Sequence, residues 1–371
     1  MAINTILMDF KVNEPAKLDS GSNIQTDVHQ VLEQFIPGLN MHMMQDCGPD
    51  GILILWSGPR SCLVTLRAFR GPGLISISIE YYRGEEEDAL LSFDQVRTIE
   101  SLLIPKLNSI RSHKYPAFKR GGILNRYLVS SDERVLEYDF DKLLFEEKTA
   151  HQKVQIYHSP TFGNMLVLDD LQNLADSDII YTETLMQRGK ENYEGKEVLI
   201  LGGGDGALLW ELLKEKPKFV TMLEIDDVVM QSCKKYLRNS CGTCLDNYNG
   251  ENYKIIVADC VQWLDKYITD GTKFDYVFGD LTDIPLSSTP QGEIWDFIRL
   301  ILNKALKVLN STGKFMTHGN GISCPTALAM YEEQLKKLET PVDFSRDHAF
   351  VPSFMEDWVF YQFNCTSSCL H

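Results

Sequence analysis

Basic residues are scarce in this chain relative to acidic ones: 36 Lys and Arg stand against 52 Asp and Glu, a formal net charge of −16 at pH 7. Nucleic-acid binding rests on clustered Lys and Arg that neutralise phosphates, so this balance argues against a nucleic-acid partner and in favour of cationic small molecules. No apolar run approaches the roughly 18 residues of a membrane-spanning helix, and no membrane partner is expected. The opening MAINTILMDFKV lacks the basic start and long apolar centre of a signal peptide, so a cytosolic protein is expected. Nine cysteines, an odd number, fit a reducing compartment better than a paired disulfide framework. Cys241 and Cys244 form a lone CxxC with neither a second pair nor a nearby His to complete a tetrahedral zinc site, and no metal is expected. The ending CTSSCLH has no Cys four residues from its end, which excludes a prenylation box.

What is present is enough apolar residue, 44% of 371, for two or three domains. Residues 1–118 combine helix-like stretches, IQTDVHQVLEQFI and SFDQVRTIESLLIPKLNSI, with alternating runs ILILW, CLVTLRAF and LISISIEYY. Such a mixture predicts a small α+β domain with an antiparallel sheet. RSHKYPAFKRGG follows, basic and punctuated by Pro and Gly, and reads as a connection. Short period-two runs in 119–175, such as KVQIYHS and MLVLDD, predict a hairpin-rich β-domain.

From 176 to 371 the rhythm changes. Strand-like EVLILGG, KFVTMLEI, YKIIVAD and FDYVFGDL alternate with helical segments, the pattern of a doubly wound parallel sheet. In EIWDFIRLILNKALKVL, the residues Ile294, Phe297, Ile298, Ile301, Leu302, Ala305 and Leu309 fall at helical spacing and are expected to form a core face. VDFSRDHAFV and DWVFYQFNC have no helix between them and predict a terminal hairpin, as in the sheet of methyltransferases that use S-adenosylmethionine.

Ligands of open α/β sheets lie outside the carboxyl ends of the strands, and here those ends are acidic. Asp205 follows the first strand in GGGDG, Glu224 ends the second, Asp259 the third and Asp280 the fourth. The Gly-rich turn with Gly202 and Gly203 suits an anion, because a helix N-terminus carries partial positive charge. A carboxylate at 205 is therefore out of place for that purpose. Glu224 stands 19 residues beyond Asp205, where a nucleotide-binding sheet carries the acid that accepts from ribose hydroxyls. Any one of these acids, taken singly, reads as a helix cap. Four in register repel one another unless a cation joins them. Decarboxylated S-adenosylmethionine meets that need: its tail is an aminopropyl cation, complementary to Asp205, whereas the carboxylated form is repelled.

GGGDG, MLEID, the DC at 259–260 and the DLT at 280–282 together resemble the aminopropyltransferases of polyamine synthesis, the spermidine and spermine synthase family. RGGILNRY, RVLEYDFD, FGNMLVLDD, NLADSDIIYT and VPSFMEDWVFY carry the resemblance over essentially the whole chain. It implies a Rossmann-like, methyltransferase-type catalytic domain at 176–371, a central β-domain at 119–175, and an N-terminal domain at 1–118 that resembles S-adenosylmethionine decarboxylase and dimerises. Possession of that N-terminal domain points to the spermine-forming branch, with spermidine as acceptor. The resemblance further implies that Gln152, Gly202, Gly203, Asp205, Glu224, Asp259 and Cys260 hold decarboxylated S-adenosylmethionine. Tyr181, Asp280, Asp283, Phe354 and Glu356 would face the polyamine, with Asp280 as proton acceptor and Asp205 and Tyr181 beside it. No cofactor is implied, the sulfonium compound being a co-substrate. From the residues alone, Gln152 reads equally as a surface turn, Tyr181 as a core aromatic and Glu356 as a strand-edge charge. Two positions depart from the spermine-forming pattern: Phe354 stands where that branch has Tyr, and Asp283 adds a carboxylate reminiscent of the spermidine-forming branch.

Overall fold

The computed structural model describes residues 2–12, 21–84, 86–130, 132–281 and 292–365, which divide into two units, Met1–Asn125 and Arg126–His371. In the first, β1 (Ala2–Val12), α1 (Gly21–Leu32), β2 (Asn40–Asp46), β3 (Ile52–Gly58), β4 (Cys62–Phe69), β5 (Leu74–Arg83), α2 (Phe93–Lys106), β6 (Ser109–Lys114) and β7 (Phe118–Arg120) follow in order. The strands form one sheet in the order β2-β3-β4-β5-β1-β6, with β7 also pairing β1. Every second residue of β3, such as Ile52, Ile54 and Trp56, is buried in one core with Val28 and Leu32 of α1 and Ile99 and Leu103 of α2, as the period of a half-buried strand requires. A capping box starts α2, Ser92 Oγ accepting from Gln95 N and Gln95 Oε1 from Ser92 N, so two otherwise orphaned donors are satisfied.

The basic stretch expected to be a connection is instead largely β6 and β7, both paired with β1. Its charges are anchored: Arg120 donates to Thr5 Oγ1 and meets Glu80 at 3.0 Å, and Lys114 meets Glu100 at 2.8 Å. Sheet pairing over this distance in sequence leaves no local periodicity to detect.

The second unit opens with the hairpin β8 (Tyr127–Val129) and β9 (Val135–Glu137) and an antiparallel sheet of β10 (Lys142–Lys148), β11 (Lys153–Ser159), β12 (Gly163–Leu168) and β13 (Leu171–Ala175). After α3 (Ile179–Leu185) come β14 (Glu197–Gly202), α4 (Ala207–Lys214), β15 (Phe219–Glu224), α5 (Asp227–Tyr236), α6 (Arg238–Cys241), β16 (Tyr253–Val257), α7 (Cys260–Asp270) and β17 (Phe274–Asp280). Then follow α8 (Glu293–Lys307), β18 (Leu309–Gly321), α9 (Pro325–Leu335), β19 (Val342–Val351) and β20 (Glu356–Cys365). Their sheet runs β16-β15-β14-β17-β18-β20-β19; β14 to β18 are parallel, and β20 lies antiparallel to both β18 and β19. It is an α/β, methyltransferase-like doubly wound sheet ending in the expected hairpin.

Val154, Ile156 and Leu166 of the smaller sheet pack in one core with Leu185, Ile200, Met222 and Met230. A four-stranded sheet buries one face by leaning on a larger partner, and so the change of rhythm near residue 175 marks no separate core. Helix α8 also departs from expectation. Ile294 is half exposed while Trp295 is buried, Leu309 begins β18, and Phe297 is partly buried at the edge of an open cleft. Among the described residues no helix is long and apolar enough to cross a membrane.

Candidate active site

Connections leave the sheet in opposite directions at β14 and β17, the neighbours from which strand order runs outward to β16 on one side and β19 on the other. Such a reversal opens a crevice at the carboxyl ends of the two strands. The turn after β14 is shaped to use it. Gly202, at φ +83°, lies opposite Asp280, and a Cβ there would fall 2.0 Å from the Asp280 carbonyl oxygen; only glycine tolerates this approach. Gly203 N donates to the same oxygen at 3.1 Å. At Gly204 a Cβ would meet Glu224 Oε2 at 2.8 Å. The glycines thus let two strand-end acids close on the turn.

Asp205 is nearly buried, and its Oδ1 accepts from Ala207 N, in the first turn of α4, at 2.7 Å. Burial raises its pKa and that hydrogen bond opposes the rise. Glu224 is pushed up to about 7, first by burial and further by the negative charges of Asp226 and Asp205, against hydrogen bonds from the backbone of Asp226 and Ile225. Asp259 caps α7, its Oδ1 accepting from Val261 N at 2.8 Å, so the capping role and a position on the cleft coexist. Burial and the neighbouring Asp259 push the Cys260 thiol up to about 12, which keeps it protonated at neutral pH.

Asp280 ends β17, and Tyr181, carried by α3, donates to its Oδ1 at 3.3 Å. The Tyr181 ring packs edge-on against Phe354 and Phe360, with centroids 5.9 and 5.1 Å away. Phe354 lies in the turn between β19 and β20 and is set edge-on to Trp358 at 4.8 Å. Buried Asp178 ties this turn to the start of α3: it accepts from Ala175 N, from Ser353 N and from Ser353 Oγ, while Tyr138 donates to Ser353 O at 2.6 Å.

The acids and Tyr181 face one cleft of about 650 Å³. Gln152, Tyr181, Gly202, Gly203, Asp205, Glu224, Asp259, Cys260, Asp280 and Phe354 all border it. Glu356 does not; its buried carboxylate accepts from Ser323 N at 3.0 Å, from Ser323 Oγ and from Arg134 at 3.2 Å. Asp283 lies outside the described residues. The cleft adds Asn173 on β13 and His318 on β18, which sequence pattern does not single out, and Phe297 on α8, whose spacing predicts a core position instead. The strand-end rule that finds the acids applies to His318 as well, but the polar THGN in the run KFMTHGN masks the strand that carries it. Among the described residues no group of three or more His, Cys, Asp or Glu is placed to hold a metal ion.

The class is that of doubly wound α/β proteins, whose ligands lie at the switch point of the sheet, and in this member the crevice there is bordered by Asp205, Glu224, Asp259 and Asp280. Residues 178–369 match the family model described as spermine/spermidine synthase domain, and residues 128–175 match the spermidine synthase tetramerisation domain. The chain belongs to the spermine/spermidine synthase family. Polyamine aminopropyltransferases of Yersinia pestis (strain Pestoides F) and Yersinia pseudotuberculosis (serotype O:3, strain YPIII) are 34% identical to it over 154 residues, which cover 39% of this chain and 48% of theirs. The chain therefore spans about half the length of the curated relatives it matches. Crystal structures of spermidine synthase from Thermotoga maritima and of a spermidine synthase in complex with the transition-state analogue AdoDATO share its fold. Their TM-scores are 0.51 and 0.52 at 18% and 19% identity; each alignment covers 65% of this chain, with 78% and 79% of the respective structures.

Proposed function

We propose that the protein transfers the aminopropyl group of decarboxylated S-adenosylmethionine to spermidine, giving spermine and methylthioadenosine. The observation that carries this is the shared cleft: Asp205 and Asp280, 75 positions apart in sequence, border the same space. In the proposed complex Asp205 takes the aminopropyl ammonium, Glu224 the ribose hydroxyls, and Asp259 with Cys260 the side where the base lies. Gln152, Gly202 and Gly203 complete that half. Tyr181, Asp280 and Phe354 face the acceptor amine. Glu356 and Asp283 are proposed for its far end, which requires the Glu356 carboxylate to exchange its partners when the acceptor enters.

The reaction is a direct displacement. A neutral primary amine of the acceptor attacks the aminopropyl carbon next to sulfur; the C–N bond forms as the C–S bond breaks, and the sulfonium leaves as neutral thioether. That amine reaches the site as an ammonium, which has no lone pair, and Asp280, oriented by the Tyr181 hydroxyl, takes its proton before the attack. A sulfonium is already a good leaving group, so no metal or redox cofactor enters the scheme. Holding amine and carbon in line supplies several kcal/mol of barrier lowering, and charge matching at Asp205 supplies the specificity for the decarboxylated donor.

A spermidine-forming enzyme, with putrescine or another amine as acceptor, is the second reading. Phe354 and Asp283 favour it, and the presence of a domain at residues 1–118 counts against it. Purified protein given decarboxylated S-adenosylmethionine with either amine, followed by amine chromatography, decides between them: spermine from spermidine supports the first proposal, spermidine from putrescine alone the second, and no product from either defeats both. We further propose that the protein works in the cytosol as a homodimer formed through an N-terminal domain like that of S-adenosylmethionine decarboxylase; the match of 128–175 to a tetramerisation domain supports self-association in general. Sedimentation of the full chain at micromolar concentration as a monomer would remove that part.

A further inference from the structure

Gln152, in the turn between β10 and β11, is held by a residue of a distant segment. Asp226 precedes α5 and is 2% exposed. Its Oδ1 accepts from Val228 N at 3.1 Å and so caps that helix. Oδ2 accepts from Thr149 Oγ1 at 2.8 Å and from Gln152 Nε2 at 3.2 Å, while its own N–H donates to Glu224 Oε1 at 2.8 Å. One residue thereby joins the turn carrying Gln152 and the first turn of α5 through its carboxylate, and the acid at the end of β15 through its backbone N–H.

A carboxylate offers only acceptors, and an amide offers a donor at one end and an acceptor at the other. Beside Asp226 the NH₂ end of Gln152 is bound, so the carbonyl oxygen is the end left for the cleft. We propose that Asp226 is a positioning residue that sets the polarity of Gln152, so that the cleft presents an acceptor to the hydroxyl and ammonium donors of the aminopropyl-bearing co-substrate. The proposal rests on the aminopropyl-transfer function proposed above.

Replacing Asp226 by Asn separates this role from helix capping, because Asn caps as well as Asp. With its oxygen committed to Val228 N, the new amide directs NH₂ at Gln152, which must turn its oxygen inward and its NH₂ toward the cleft. A donor then faces donors. In D226N the KM for decarboxylated S-adenosylmethionine is expected to rise about 10- to 100-fold, the range of a buried hydrogen bond lost to a mismatched partner. The kcat and the polyamine KM should stay within about threefold, with the thermal midpoint unchanged. Q152E alone sets two carboxylates against each other and should also weaken donor binding. Joining D226N with Q152E restores an acceptor to the cleft, since the carboxylate introduced at position 152 accepts from the NH₂ introduced at position 226, and the donor KM is expected to return to within about fivefold of wild type.

Additive losses in the double variant, or a D226N protein with wild-type donor KM, overturn the proposal. The same four proteins are titrated calorimetrically with decarboxylated S-adenosylmethionine. If the wild type binds the compound without turning it over, the transfer function fails alone and the cycle is scored in Kd; if it does not bind, both fall.

Discussion

On one side of the cleft the acids Asp205, Glu224 and Asp259 sit at or just past the ends of β14, β15 and β16, each with an oxygen accepting from the backbone N–H two residues onward. On the other side Tyr181, Phe297 and Phe354 come from two helices and a hairpin turn, and the rings of Tyr181 and Phe354 pack edge-on against each other and against Phe360 and Trp358. The first wall is set by a parallel sheet whose register fixes every strand end at once. The second depends on separate elements joined by side-chain packing and by side-chain links such as Asp178–Ser353 and Gln187–Asp347. A sheet-built wall suits the constant part of a reaction, and a wall of independent elements suits the part that varies between relatives. The donor half is thus expected to tolerate substitution poorly in binding, and the acceptor half to show its effects in rate and preference.

Asp280 belongs to both walls, ending a parallel strand while bonded to Tyr181, and its loss should have the largest effect. Asp280→Asn keeps the shape and removes the proton acceptor. Turnover is expected to fall by roughly 10²- to 10⁴-fold, with both KM values within a few-fold, measured as methylthioadenosine release at saturating substrates. An Asn variant with more than a tenth of wild-type kcat would show that the proton leaves by another route. Asp205→Asn tests the sheet-built wall in the opposite sense. Here the donor KM should rise by about 10- to 100-fold, the cost of unpairing a charged hydrogen bond, while kcat changes little. Rejection of intact S-adenosylmethionine should weaken in parallel, read as its inhibition constant; unchanged discrimination would detach Asp205 from the aminopropyl tail.

The acidic wall also carries a pH signature. Glu224 titrates at about 7 in the folded protein against an ordinary value of 4.5, so between those values the folded chain binds more protons than the unfolded one. Stability from this group is full below about pH 4.5 and is lost as pH rises to 7, by an amount on the order of a few kcal/mol. A cationic ligand reverses the preference by favouring the ionised acids. Decarboxylated S-adenosylmethionine should therefore raise the melting temperature more at pH 8 than at pH 5.5, and its binding near pH 6 should release protons to the buffer in calorimetry. Equal shifts at both pH values, or proton uptake, would mean that the ligand's charge does not reach Glu224.

How far sequence reached follows the same division. Four strand ends and their acids were legible because a parallel strand is a short apolar run whose final residue faces the crevice; position and chemistry are both local. The link of Gln152 to Asp226 spans 74 positions and leaves no trace in either segment. β18 was missed because Gly313 and the polar THGN interrupt its apolar run, and with it went His318. Phe297 was assigned to a core face by helical spacing, which locates a face but not whether a protein core or an open cleft lies against it. The RSHKYPAFKRGG stretch failed for a related reason: its pairing partner, β1, is some hundred residues away, and charge content alone does not distinguish a sheet edge from a linker.

The smallest expected effect lies in the aromatic wall, at Phe354. Its ring is 6% exposed and wedged between Tyr181 and Trp358, so Phe354→Tyr adds a hydroxyl whose direction decides the outcome. Turned into the ring cluster it would be buried without a partner and would cost about 1–3 kcal/mol of stability. Turned into the cleft it is solvated when the site is free and available to an acceptor nitrogen when the site is filled. Since Phe354 already borders the cleft, the second arrangement is expected, with little change in melting temperature. A single neutral hydrogen bond contributes about 0.5–1.5 kcal/mol, so kcat/KM for spermidine should rise by roughly two- to tenfold relative to putrescine. A ratio of the two specificity constants that stays at its wild-type value, in a variant of unchanged stability, would show that residue 354 does not reach the acceptor, and the search for what sets chain length would move to Glu356.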